Sequence, residues 1–133
     1  MSATAAAQST DTPCTLLERD ARLLTQLLAE TADGDSEVLD RLDHKLAHAR
    51  VLSRKPATAL VHIGSRVRYR DESTGRERLI TLVVPDEADR DGERISLLSP
   101  VGSLLFGLGC GQTVEWRQPG GRRKRLHIVE VLS

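Results

Sequence analysis

Asp33, Asp35 and Glu37 put three carboxylates close together around a turn in the chain. Clustered carboxylates hold hard divalent cations, and a held cation activates water for phosphodiester cleavage. The simpler role is structural, because acidic groups at a helix start favour the helix dipole. His44 and His48 stand four residues apart, a spacing that puts two imidazoles on one helix face. The Lys45-Leu-Ala between them carries no zincin-type Glu, so an exposed helix face is expected and no metal. Arg122, Arg123, Lys124 and Arg125 form the one concentrated basic run, suited to phosphates, RNA or an acidic protein surface. Such runs are more often solvated strand ends, and nucleic-acid contact is expected to be weak at most. Gly107-Leu-Gly-Cys-Gly lacks the strand-to-helix context of a phosphate cradle and reads as a turn. No nucleophile arrangement stands out, so neither catalytic residues nor a cofactor are expected.

Composition limits the partners. Lys+Arg and Asp+Glu each number 19 in 133 residues, a formal net charge of +0, so the whole chain has no pull toward a phosphate backbone. Aromatic residues make up only 2% of the chain, which argues against binding single strands by stacking. Cys14 and Cys110 lie far apart with no metal-ligand spacing and read as free thiols in a reducing compartment. The first residues, Met-Ser-Ala-Thr-Ala-Ala-Ala-Gln, lack the basic and apolar regions of a signal peptide, and no apolar run approaches the length that spans a bilayer. A soluble, cytoplasmic monomer without membrane contact is expected.

Three regions must position these groups. Residues 1–11 are small and polar and read as a mobile tail. Residues 12–54 read as an antiparallel helical hairpin, a short coiled coil. Thr12 with Pro13, or a Thr15/Glu18 capping box, would start the first helix, along which Leu16, Leu17, Leu23, Leu24, Leu27 and Leu28 recur. After the Asp33-Gly34 turn, Leu39, Leu42, Leu46 and Ala49 repeat until Ser53 and Pro56. Arms of about 15 residues would extend roughly 22 Å. Whether the pair projects or covers one side of the following domain stays open.

Residues 55–133 change to period two. Val67 and Tyr69 alternate with Arg66, Arg68 and Arg70, and Leu79 to Val84 forms a nearly continuous apolar run that reads as a central strand. Strands are also expected at 95–98, 113–117 and 124–132, the last two joined at Pro119-Gly120-Gly121, with a short helix over 101–106. The expected class is α+β, an antiparallel sheet with one short helix.

The ordered series Val61-His-Ile-Gly-Ser-Arg-Val, Pro85-Asp-Glu-Ala-Asp and Ile95-Ser-Leu-Leu-Ser-Pro-Val-Gly resembles the C-terminal domain of the bacterial Gre transcript-cleavage factors and of their shorter relatives, the regulators of nucleoside diphosphate kinase (Rnk). The resemblance covers roughly 61–131. It implies an FKBP-like fold and docking on RNA polymerase near its secondary channel, through the loop that carries the Ser-Pro pair. Here that loop is Leu98, Ser99, Pro100, Val101 and Gly102. Leu98 stands where cleavage factors often have Asp or Asn, and Val101-Gly102 is Rnk-like. Tyr69, Phe106 and Trp116 are too few to line a prolyl-isomerase pocket, so a non-enzymatic regulator is expected. The acidic tip Asp33, Asp35 and Glu37 would be the metal-binding part if the chain instead stimulated transcript cleavage.

Overall fold

The computed structural model describes residues 14–31, 34–54, 59–89, 92–117 and 120–132. The expected tail 1–11, the Thr12-Pro13 cap, Asp33, Pro56 and Pro119 lie outside the described residues. The elements in chain order are β1 (Thr15–Leu17), α1 (Glu18–Glu30), α2 (Ser36–His48), β2 (Arg50–Leu52), β3 (Arg66–Asp71), β4 (Glu77–Val83), β5 (Arg94–Ser96), α3 (Pro100–Leu105), β6 (Thr113–Arg117) and β7 (Arg123–Leu132). A 3-10 turn, Pro85–Glu87, links β4 to the approach of β5.

The N-terminal helical hairpin is not what forms. Thr15, Leu16 and Leu17, which the leucine spacing assigns to a helix, are extended and pair in parallel with Arg50, Val51 and Leu52. The helices therefore follow a strand and return to one, and Leu17, the residue before α1, supplies no side-chain cap. The physical reason is burial. A two-helix unit is marginal alone, whereas Leu24, Val38 and Leu42 enter the same core as Leu16, Leu97, Phe106 and Ile128. Two polar latches fix the helices to the rest. Asp20, buried in the first turn of α1, accepts a hydrogen bond from the Ile63 backbone N–H at 3.0 Å. Lys45 of α2 reaches the carbonyls at the end of α3.

The sheet also departs from expectation, because it is mixed. Its order is β5-β4-β3-β7-β6, and β5 runs parallel to β4 while the other neighbours are antiparallel. The middle strand is β3, with Val67 and Tyr69 buried; β4 lies between β3 and β5. A register shift between Arg68 and Tyr69 bends the β3/β7 pair, the usual effect of a bulge. On the inner face Val67, Ile80, Leu82, Val114, Leu126 and Ile128 pack under α3 and the helical unit. Farther along the strands that face stays open, and Tyr69, Trp116 and Lys124 line a cleft there.

Candidate partner-docking site

The Ser-Pro turn is built from local hydrogen bonds. Ser96, at the end of β5, accepts at its carbonyl from the Ser99 N–H at 3.0 Å and from the Ser99 hydroxyl at 2.7 Å. Its own hydroxyl oxygen accepts from the Leu98 N–H at 2.9 Å. Ser99 Oγ then accepts from the Gly102 N–H at 3.0 Å, the N-cap that starts α3, with Pro100 in the first turn where its missing N–H costs nothing. Gly102 is required by space. A Cβ there would collide with the Ser96 carbonyl and lie 2.9 Å from Ser99 Oγ.

These bonds sort the five expected contact residues. Ser99 spends its hydroxyl on the turn and Gly102 is buried, so neither has a free group to offer. Pro100 is exposed, and Leu98 and Val101 are half-buried beside it, so the outward surface of the turn is apolar. Pro100 forms a ridge between two clefts. Leu98 borders a cleft of about 410 Å³ with Leu23, Leu27, Val84 and Pro85, and Val101 borders a wider one of about 900 Å³ on the open sheet face.

The far end of α3 is held by groups that pattern reading passed over. Lys45 Nζ donates to the carbonyls of Ser103, Leu104 and Phe106 at 2.8, 2.9 and 2.6 Å, and so fills the helix C-terminus with a cation. Burial pulls its pKa from 10.5 down to about 7, with Cys14 opposing and Arg41 adding to the shift. Burial also raises the pKa of the Cys14 thiol, with Lys45 opposing. The three carbonyls are what hold the ammonium. Arg41 Nη1 donates to Ser103 Oγ at 2.8 Å, and that hydroxyl donates in turn to the Pro100 carbonyl at 2.9 Å. A chain of bonds thus runs from α2 to the Ser99-Pro100 turn. The only sequence signal was that Lys45 falls on the stripe of Leu42, Leu46 and Ala49.

The other candidates are dispersed. Asp35 is the N-cap of α2, its Oδ1 accepting from Glu37 N at 2.9 Å and Val38 N at 3.4 Å, while Glu37 pairs with Arg41 at 3.5 Å. Asp33, the third carboxylate of that cluster, lies outside the described residues. The His44 and His48 rings stack at a centroid distance of 4.2 Å instead of converging on a common point. Strand alternation splits the basic run. Arg122, Arg123 and Arg125 are exposed, and Lys124 turns inward to pair with Asp71 at 3.2 Å. No helix among the described residues is long and apolar enough to cross a membrane.

Residues 56–133 match the family model described as transcription elongation factor GreA/GreB, C-terminal. The chain belongs to the GreA/GreB C-terminal family. Membership places it among transcription-associated regulatory proteins. It is 32% identical over 113 residues to the regulator of nucleoside diphosphate kinase of Escherichia coli K12, covering 84% of this chain and 83% of that protein. It is 34% identical over 83 residues to transcription elongation factor GreA of Thermosipho melanesiensis, but spans only 53% of that protein. Among solved structures, the prokaryotic transcription elongation factor GreA/GreB from Nitrosomonas europaea superposes with a TM-score of 0.74 at 38% identity, covering 92% of this chain and all of that one (100%). The relatives are regulators and elongation factors.

Proposed function

We propose that the protein is a non-enzymatic transcription regulator that binds RNA polymerase near the secondary channel through the turn at Leu98–Gly102 and competes there with Gre-type cleavage factors. The observation that carries this reading is the Ser99-Pro100 turn itself. The Ser96 and Ser99 hydroxyls are consumed internally, the turn is anchored from both ends of α3, and its outward side chains, Leu98, Pro100 and Val101, form an apolar ridge. A preorganised apolar ridge loses little entropy on docking.

Competition without cleavage is supported by the helical unit. Each helix has 13 residues, about 20 Å at the usual rise, and both pack into the core shared with the sheet, which favours a short reach. The test is a titration of a cleavage factor on stalled elongation complexes with increasing amounts of this protein. Cleavage should fall in proportion to occupancy, and Pro100→Asp should relieve the inhibition. Undiminished cleavage with both proteins saturating would refute the shared site; stimulated cleavage would refute the short reach and favour a Gre-like cleavage-stimulating factor.

A further inference from the structure

The open half of the inner sheet face carries a cleft whose lining differs in chemistry from the apolar turn at Leu98, Pro100 and Val101. The cleft there, about 900 Å³, has Tyr69, Trp116 and Leu126 along its floor and Val101 of α3 on one side. That volume is within the usual range for small-molecule sites. Trp116 is half-buried, so part of the indole stays available to a ligand.

Among the described residues that line the cleft, three cations, Arg76, Arg78 and Lys124, stand against two carboxylates, Asp71 and Glu77. Its two carboxylates are committed, Asp71 to Lys124 at 3.2 Å and Glu77 to Arg70 at 3.6 Å. Arg76 and Arg78 also line it, and neither has an ion-pair partner among the described residues. Arg78 Nη2 donates to the Gly92 carbonyl at 3.1 Å, a neutral acceptor that steadies the arm without cancelling its charge. Two guanidiniums on residues two apart along an extended chain are about 7 Å apart at the backbone. One carboxylate is satisfied by a single guanidinium fork, so a pair at this spacing suits a longer anion with several oxygens. An indole face on the same floor suits a flat ring.

We propose that this cleft binds a nucleoside di- or triphosphate, with the base against Trp116 and the phosphates on Arg76 and Arg78. The site goes beyond polymerase docking and stands or falls independently of it.

Trp116 is the chain's one tryptophan, so its fluorescence reports the site directly. The intact protein is titrated with ADP and GDP, and in parallel arms with adenosine and with inorganic pyrophosphate. A saturable fluorescence change with the nucleotides is expected, with adenosine and pyrophosphate each weaker by about tenfold or more, since each keeps only half of the contacts. Arg76→Ala and Arg78→Ala, both near the surface and checked for folding by circular dichroism, should weaken nucleotide binding by about tenfold while competition with a cleavage factor is retained. No saturable change at millimolar nucleotide would overturn the site. Pyrophosphate binding as tightly as ADP would overturn the base assignment, and undiminished binding by both Arg variants would overturn the phosphate assignment.

Discussion

Lys45 shows how a single buried charge can organise a surface feature. Its three N–H groups meet three carbonyls at the end of α3, an arrangement that only the ammonium form satisfies in full. Yet burial holds its pKa at about 7, below the ordinary 10.5. Between those values the unfolded chain binds one more proton at this group than the folded chain does, so its contribution makes stability rise with pH from about 7 toward 10.5. Below pH 7 the contribution is flat and least favourable. Urea midpoints at pH 6.5, 8 and 9.5 should therefore show a growing stability advantage of the wild type relative to Lys45→Met, and a constant difference would contradict the shifted pKa. Gly102 makes a second prediction at this scale. Gly102→Ala forces the new methyl group onto the Ser96 carbonyl and should cost about 1–3 kcal/mol, as overpacking of a tight site does. It should also weaken polymerase binding, because the start of α3 has to move. An unchanged melting temperature would show that the turn has slack.

At the scale of elements, the helical unit and the sheet share one core. Leu42 is fully buried among residues of both, so Leu42→Ala should cost about 2–5 kcal/mol. It should do so in one transition, with far-UV circular dichroism and Trp116 fluorescence moving together during urea unfolding. Loss of helix signal ahead of the fluorescence change would mean the helices are an independent unit. Much of the element pattern could be read from local chemistry. The strand at 113–117 and the helix opening at Ser99-Pro100 occur where alternation and the N1 proline put them. β1 escaped because Leu16 and Leu17 also fit the leucine spacing of α1, and its partner Arg50–Leu52 is brought alongside only when both helices have packed. The parallel placement of β5 was hidden for a related reason, since nothing within Arg94–Ser96 specifies strand direction.

For the molecule as a whole, a formal net charge of +0 and the apolar outward face of the Ser-Pro turn set the salt response expected of the proposed docking. Polymerase binding through Leu98, Pro100 and Val101 should change by less than about threefold between 50 and 300 mM NaCl, because few counterions are released. A nucleic-acid module built on Arg122, Arg123, Lys124 and Arg125 would lose affinity by tenfold or more, on the order expected for a few phosphate contacts. Association measured across that range separates the two. The dispersal of the basic run follows from strand alternation, which sends Lys124 into the inner cleft and Arg123 and Arg125 outward.

Sequence alone determined the features whose causes lie within a few residues: the Ser99-Pro100 turn that opens a helix, the alternation of β3, and the strand at 113–117. It also carried the ordered motifs by which the family is recognised. Tertiary structure alone decided that the helices close onto the sheet, that Lys45 and Arg41 hold α3, and that Trp116 shares a cleft with Arg76 and Arg78. Each of these depends on groups distant in the chain meeting at one place. A hydrophobic stripe states only that a face must be buried; which surface buries it, and which polar groups are carried in with it, follows from the packing of the whole core.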